Sequence, residues 1–349
     1  MEDRYGLVYL GSKEKILHLI DYILQREHKN KYFLDLFAGG LSVSAYVLKH
    51  SNMKVVVNDL NKYVIALYQE ILDGGKKFEA RRYEWIDRKL FETVKEYPET
   101  FEPWYVGYVL NMWSFGCNQK DYLYAKDLEE DKKALHMAVV YKDYTLLNSK
   151  PLFKGFYDDY IKGTIFEEVD YQKNINARVV FMEKFHKFIH DNEKSPHYTQ
   201  LQRLEMIVNL NLTEKIDAIY ELAGSNFVNR IDLFSQDWYE TYRKLPKAVL
   251  EKAVIYCDPP YQDAKEYQFG KGFDYDAFWH WFKTCPYPVY VSSYKAPQGI
   301  EPINFEPKIQ LLDNGHRGDN KPKKTINENI YWNGKGGESK TLLDMLFGK

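Results

Sequence analysis

The sequence has few cysteines, no long apolar run and no excess of charge of either sign. Its three cysteines include no C-x-x-C pair, which excludes a disulfide framework and a cysteine-based zinc site. No run of about 18 apolar residues occurs, so we expect an unexported cytoplasmic protein without a membrane span. Its 48 Lys and Arg against 50 Asp and Glu exclude histone-like coating of DNA and leave only local basic faces.

The composition is that of a folded protein. Of the 349 residues, 45% are hydrophobic and 28% are charged, which excludes wholesale disorder and fibrous repeats. At roughly 150 residues per domain, the length predicts about two domains, or one domain with a large insertion.

Helix and strand patterns alternate over the first 75 residues. Apolar residues at helical spacing and short β-branched runs predict, in order, a helix at 13–26, a strand at 32–37, a glycine turn at 38–40, a helix from Ser42, a strand at 55–59 and a helix at 61–72. This alternation favours parallel strand pairing in an α/β fold.

The alternation stops between residues 76 and 229, where a Lys, Glu and Tyr-rich segment predicts an inserted, mainly helical domain. Strand patterns return afterwards, at 231–238, 253–261 and 288–294, with a helix at 274–283 and an edge or antiparallel strand at 325–333. We therefore predict one α/β domain built from 1–75 and 230–349, interrupted by a second domain at 76–229.

The first chemical signal is a strand that ends at Asp35 and is followed by Phe37, Gly39 and Gly40. The glycines let the backbone approach a ligand closely, and the amides of the next helix point towards it. Asp59 ends the second strand, where nucleotide-binding α/β folds bind ribose hydroxyls. Because G-x-G-x-x-G is absent and the incoming strand carries the acid Asp35, adenosine joined to an amino acid suits the site better than a pyrophosphate. Asp35 would then face the ammonium of that amino acid. The alternative is a tight turn that binds nothing.

The second signal is Asp258-Pro259-Pro260-Tyr261, directly after an apolar strand. The two prolines end the strand and fix an extended backbone whose carbonyls point outward. The Asp258 carboxylate and the Pro259 carbonyl could accept the two hydrogens of an exocyclic amine while its ring stacks on Tyr261. The alternative is a strand that simply ends in proline.

Together these motifs resemble the D12 class of N6-adenine DNA methyltransferases, which includes the Dam enzymes. The resemblance rests on YLGSKEKI at 9–16, DLFAGG, Asp59, FSQDW and CDPPY. It implies a Rossmann-like class I methyltransferase sheet, mostly parallel with one antiparallel strand near the carboxyl terminus. It also implies that S-adenosylmethionine is the cofactor. The cofactor contacts that it implies are Tyr9, Gly11, Ser12, Lys13, Asp35, Phe37, Gly39 and Gly40, with Asp59 on the ribose and Asp237 and Trp238 on the adenine.

The resemblance implies methyl transfer to N6 of an adenine that is flipped out of the duplex. The N6 lone pair is conjugated into the ring, so hydrogen bonds to Asp258 and the Pro259 carbonyl would localise it and aim it at the sulfonium methyl. Stacking on Tyr261 would offset part of the cost of unpairing. No metal is needed, and we expect none at His186 and His190, although they share a helix face.

The motif order implies that the insertion at 76–229 recognises the target in double-stranded DNA, inside a bacterial or phage-infected cell. The aromatic segment at 111–125 is similar to one in phage members of the class. Whether a cognate restriction endonuclease accompanies the protein stays open, as does its oligomeric state. The side chains expected at the DNA are Arg81, Arg82 and Ser114 in the insertion and Arg317, Lys323 and Lys324 in a late polar loop.

Three alternatives stay open at this point. An N4-cytosine methyltransferase would use the same cofactor, although that chemistry more often accompanies serine in place of Asp258. A nicotinamide-dependent oxidoreductase would also use a strand, a glycine turn and an acid, but it leaves the proline corner unexplained. A DNA-binding module without activity is the third.

Overall fold

A computed structural model describes residues 5–7, 9, 13, 16–162, 175–206, 216–224, 227–261, 272–303 and 329–336, without the side chains of 175–178. The chain divides into two compact units. The first unit comprises Met1–Gly74, Glu102–Tyr108 and Lys215–Lys349. The second comprises Gly75–Phe101 and Val109–Glu214. Among the described residues, no helix combines the length and the apolar character needed to cross a bilayer.

The first unit contains a six-stranded sheet in the order β3-β2-β1-β4-β5-β6. Neighbouring strands are parallel except for β6, which is antiparallel to β5. The α/β fold and the late antiparallel strand are therefore confirmed. The strands are β1 Tyr32–Asp35, β2 Lys54–Asn58, β3 Ile231–Phe234, β4 Ala253–Cys257, β5 Val289–Ser293 and β6 Asn329–Trp332.

Helices flank these strands along the chain. They are α1 Leu17–Arg26, α2 Ser42–His50, α3 Lys62–Leu72, α4 Lys76–Arg81, α5 Arg88–Glu96, α6 Pro103–Met112, α7 Glu129–Tyr141, α8 Thr145–Ser149, α9 Pro151–Phe156, α10 Ile175–Asp191, α11 Tyr198–Leu204, α12 Asp217–Ala223, α13 Trp238–Lys244, α14 Lys247–Leu250 and α15 Tyr275–Thr284. Short 3₁₀ turns lie at Pro98–Thr100, Phe115–Cys117 and Val228–Arg230, and a π turn at Tyr157–Ile161.

The strands of the first unit are apolar in sequence because they lie in its core. All five residues of β4 are buried, as parallel strands covered on both faces require. The aromatic face of α15 packs in the same cluster through Phe278, Trp281 and Phe282. Helix α15 begins after Asp274, whose carboxylate accepts a hydrogen bond from the Ala277 amide at 2.9 Å.

The described part of 76–229 is helical and has no β-strand, as predicted for the insertion. Its second-unit core is rich in phenylalanine, and includes Phe153, Phe156, Phe181 and Phe185. Leu201 and Leu204, three residues apart on α11, belong to the same core.

Several predicted boundaries are wrong by a few residues; the strand predicted over 231–238, for example, ends at Phe234. The strand predicted over 32–37 ends at Asp35, because the chain turns into the glycine loop there, although the Leu36 amide still donates to the Tyr256 carbonyl at 3.1 Å. The helix predicted from residue 13 begins at Leu17, and Lys13 is buried outside it.

Candidate active site

Parallel pairing brings three predicted carboxylates to one edge of the sheet. Asp35 ends β1, Asp59 follows β2 and Asp258 follows β4, and β1 lies between β2 and β4. The three groups interact electrostatically, since Asp258 and Asp59 both raise the pKa of Asp35. This is the edge at which open α/β sheets bind their ligands.

Asp59 fixes the glycine loop. One of its oxygens accepts a hydrogen bond from the Gly39 amide at 2.8 Å, and the other accepts one from the Asn61 amide at 2.8 Å. The Tyr68 hydroxyl donates to the Gly39 carbonyl from the other side. Burial raises the pKa of Asp59 although these two amides lower it. Each oxygen keeps a lone pair for a further donor such as a ribose hydroxyl.

The amino-terminal segment packs directly on the loop. The Leu7 amide donates to the Gly40 carbonyl at 2.7 Å. A Cβ atom on Gly40 would lie 2.7 Å from the Tyr9 Cβ and 2.8 Å from the Leu7 carbonyl oxygen. Gly40 is therefore required for this contact, which brings Tyr9 to the loop. Gly11 and Ser12 lie outside the described residues.

Asp35 is a buried carboxyl that is only partly satisfied. The Ser44 hydroxyl donates to its Oδ2 at 2.7 Å, whereas Oδ1 has no hydrogen-bond partner among the described residues. Burial, followed by the charges of Asp258 and Asp59, raises the pKa of Asp35 to about 7. A buried acid in this position favours a ligand that brings a positive charge or a donor.

Asp258 is held by three side chains. The Lys13 ammonium lies 2.7 Å from its Oδ2. The hydroxyls of Tyr261 and Ser292 each donate to its Oδ1 at 3.0 Å. Ser292 is itself buried and accepts a hydrogen bond from the Tyr256 hydroxyl at 2.9 Å. The carboxylate is thus oriented before any substrate arrives.

Two aromatic groups flank the carboxylates. The rings of Tyr261 and Tyr294 lie 4.4 Å apart between centroids, and Tyr294 is exposed. The rings of Phe37 and Trp238 lie 6.0 Å apart. Asp237 is exposed, and its carboxylate accepts the Tyr239 amide at 2.9 Å at the start of α13.

The predicted DNA contacts are only partly described. The Arg81 side chain is 42% exposed and pairs with Glu84. Arg82 is 6% exposed and pairs with Glu79. Burial makes Arg82 a poor DNA contact, because its guanidinium packs into its own unit. Arg317, Lys323 and Lys324 lie outside the described residues.

Ser114 is also buried, which disfavours a direct contact with DNA in this conformation. Its hydroxyl accepts a hydrogen bond from the Gln119 amide at 2.9 Å and so closes a short turn. Phe115, the next residue, is 60% exposed. Ser114 therefore shapes the turn, and Phe115 is the side chain that the turn presents.

Sequence reasoning missed Ser44, Ser292 and Tyr294 as individual site residues. The serines are short polar residues inside apolar segments, and their contacts with Asp35 and Asp258 are set only by the sheet. For Ser292 and Tyr294 the available signal was SSYKA at 292–296, which loosely resembles a strand motif of the class beside the target base.

The sheet order, the glycine loop after β1, the acid after β2 and the Asp-Pro-Pro-Tyr corner after β4 define a Rossmann-like methyltransferase. The family model of the D12 class N6 adenine-specific DNA methyltransferases matches residues 9–182, about half of the chain. The protein belongs to this family, which confirms the resemblance, and it methylates N6 of adenine in DNA. No curated protein matches the chain significantly. The family match includes the glycine loop and ends before Asp258, so the role of the proline corner depends on its geometry.

Proposed function

We propose that the glycine-loop side of this site binds S-adenosylmethionine and that the Asp258-Pro259-Pro260-Tyr261 corner binds the target adenine. The observation that carries the proposal is the juxtaposition of two carboxyl groups at the ends of the paired strands β1 and β4. The Asp35 carboxyl is partly unsatisfied, and the Asp258 carboxylate is already oriented.

The residues on the glycine-loop side fit the cofactor. The unpartnered oxygen of Asp35 suits a cationic donor such as the methionine ammonium. Asp59 holds the loop and has lone pairs left for ribose hydroxyls. Phe37 and Trp238 offer aromatic faces to the adenine ring, and we assign the Asp237 carboxylate, directly before Trp238 in the chain, to the same ring. When bound, the cofactor supplies an electrophilic methyl group on a sulfonium.

The packing of the amino-terminal segment supports the same assignment. Leu7 and Tyr9 contact Gly40, and the Lys13 amide donates to the Ser42 hydroxyl at 3.3 Å. Tyr9 and Lys13 therefore lie against the loop that we assign to the cofactor. We propose that Gly11 and Ser12, which lie between them in sequence, complete this side of the site.

The chemistry of the corner follows from the poor nucleophilicity of adenine N6. The Asp258 carboxylate and the Pro259 carbonyl accept the two N6 hydrogens, which localises the nitrogen lone pair and orients it for in-line attack. Pro260 fixes the backbone of the corner. As N6 becomes positively charged during attack, Asp258 stabilises that charge, and the proton leaves afterwards.

The target base must leave the duplex to reach Asp258. The ring of Tyr261 stacks on it and offsets part of the unpairing cost of a few kcal/mol. Tyr294, 4.4 Å from Tyr261 between centroids, supplies a second aromatic surface beside it.

Target recognition belongs, in this proposal, to the inserted segment 76–229. Arg81 is the described basic candidate, and Phe115 is an exposed aromatic side chain on the same segment. Arg317, Lys323 and Lys324 would neutralise phosphates. A cognate restriction endonuclease would have to cut the sequence that this enzyme methylates, and modification-sensitive sequencing of DNA from expressing cells identifies that sequence and the methylated base.

The decisive variant is Asp258→Ala. We expect it to lower the rate of N6-methyladenine formation by at least about a thousandfold while the cofactor analogue sinefungin still raises the melting temperature. Asp232→Ala, an exposed acid on β3, is the matched control and should keep the wild-type rate. Substantial turnover by Asp258→Ala would overturn the assignment.

A further inference from the structure

Lys13 is a buried lysine whose ammonium lies inside the proposed base site. Its side chain is 6% exposed. The Nζ atom lies 2.7 Å from Asp258 Oδ2 and 5.1 Å from the centroid of the Tyr261 ring. Lysine is rarely buried unless its charge is paired, and in the protein without DNA the partner of Lys13 is Asp258.

The two groups that contact Lys13 are those that the proposed function assigns to the target adenine. In that proposal, Asp258 accepts a hydrogen bond from the N6 amine, and Tyr261 stacks on the adenine ring. Two hydroxyls, from Tyr261 and Ser292, already donate to Asp258 Oδ1. The amine must therefore bind at Oδ2, which is the oxygen that the Lys13 ammonium contacts.

We propose that the Lys13 ammonium occupies the position of the target amine in the DNA-free enzyme, and that adenine binds Asp258 only after Lys13 withdraws. This inference rests on the proposed function of Asp258. Lys13 acts here through another residue, as a positioning residue that keeps the carboxylate oriented until the base arrives.

The attachment of Lys13 allows such a movement. Its backbone amide donates to the Ser42 hydroxyl at the start of α2, directly after the glycine loop. The ammonium is at the end of a flexible four-carbon chain, so it can leave Asp258 without moving this anchor. A persistent ammonium would also repel N6 as positive charge develops on it, so withdrawal favours the reaction.

The exchange predicts an unusual energetic signature. In the wild-type enzyme the adenine amine takes the place of the Lys13 ammonium as a donor to Asp258. One hydrogen bond replaces another, so the amine adds little to DNA affinity. With no lysine, the same amine would satisfy an oxygen that lacks its cation, and it should add much more. Removal of Lys13 should therefore make the enzyme more sensitive to the presence of the target amine.

The test is a thermodynamic cycle on binding, with saturating sinefungin. Wild type and Lys13→Met, which has a similar length and no charge, are each titrated with two duplexes. Both duplexes contain the sequence that the enzyme methylates. One has an unmodified adenine at the target position, and the other has purine, which lacks the 6-amino group. The two bases differ in pairing strength, but this difference cancels because both enzymes bind the same duplexes.

We expect the preference for adenine over purine to be roughly tenfold larger in Lys13→Met than in wild type, and Lys13→Arg, which keeps the charge, to resemble wild type. An equal or smaller preference in Lys13→Met would overturn the inference. Asp258→Ala separates this failure from that of the proposed function. If Asp258 binds the amine, adding Asp258→Ala to Lys13→Met lowers the adenine preference, whereas an unchanged preference would reject the proposed function itself. Should Lys13→Met not fold, Lys13→Gln is titrated in its place against the same two outcomes.

Discussion

The Ser44 hydroxyl donates a 2.7 Å hydrogen bond to one oxygen of the buried Asp35 carboxyl, and the second oxygen has no partner among the described residues. The pKa of Asp35 rises from 3.8 to about 7, chiefly because of burial. The folded protein therefore holds this proton more tightly than the unfolded chain. The contribution of Asp35 to the free energy of unfolding therefore falls as the pH increases from about 4 to about 7, and it stays low above that range.

Asp35→Asn should remove the loss of stability that accompanies ionisation of the buried carboxyl. The amide has the size of the carboxyl, and the Ser44 hydroxyl can accept a hydrogen bond from it. At pH 8 we expect the free energy of unfolding to rise by up to about 4 kcal/mol, with a smaller gain at pH 5. Calorimetric melting curves at both pH values measure it. Affinity for sinefungin should fall, and a gain that does not depend on pH would contradict the explanation.

The second prediction concerns the serine below the proline corner. Ser292→Ala removes a donor to Asp258 and leaves the buried Tyr256 hydroxyl without its acceptor. We expect kcat to fall roughly tenfold and the free energy of unfolding to fall by about 1–3 kcal/mol. Ser293→Ala, whose hydroxyl donates to the Lys295 carbonyl, is the matched control and should change neither quantity appreciably.

A second substitution separates the two effects of Ser292→Ala. Adding Tyr256→Phe removes the hydroxyl that donates to Ser292, so it should recover stability without recovering kcat. If both quantities recover together, Ser292 acts through packing alone and does not orient Asp258.

The third prediction concerns the contact between the glycine loop and the amino-terminal segment. Gly40→Ala would place a methyl group 2.7 Å from the Tyr9 Cβ and 2.8 Å from the Leu7 carbonyl oxygen. The segment must then move, at a cost of about 1–3 kcal/mol, and sinefungin should bind more weakly in calorimetric titrations. Gly224→Ala is the control, since its Cβ would lie 3.6 Å from the nearest atom, the Tyr220 carbonyl oxygen. Equal behaviour of the two variants would show that the segment contributes nothing to binding.

The fourth prediction concerns the late polar loop. Lys323→Glu combined with Lys324→Glu should weaken binding to all DNA sequences alike, because phosphate contacts carry no sequence information. The dependence of affinity on salt should become shallower by about one to two in slope. Unchanged affinity across several salt concentrations would reject these contacts.

The sheet could be predicted from the sequence because each strand is a short apolar run next to a turn signal. The glycine loop and the proline corner carry their own local signals, and parallel pairing then brings Asp35, Asp59 and Asp258 to one edge. The ends of helices and strands were harder to predict: α1 begins at Leu17, whereas the apolar spacing favoured a helix from residue 13.

Contacts between distant residues could not be predicted in this way. Nothing in periodicity indicates that Lys13 pairs with Asp258, or that Ser292 lies beneath that carboxylate. Such pairs depend on strand order and on the path of the amino-terminal segment, which no local pattern encodes. For the same reason, the burial of Arg82 and Ser114 was missed, because polar residues in helical segments read as exposed.

The order of strands in the sheet also constrains how the protein is made. Strand β2 pairs with β3 from Val55 to Ile231, and β1 pairs with β4 from Phe33 to Val254. At a synthesis rate of about 5–20 residues per second, the ribosome needs roughly 10–35 s between β2 and β3. During that interval the first two strands have apolar edges without partners, which exposes the nascent chain to aggregation and to chaperone binding.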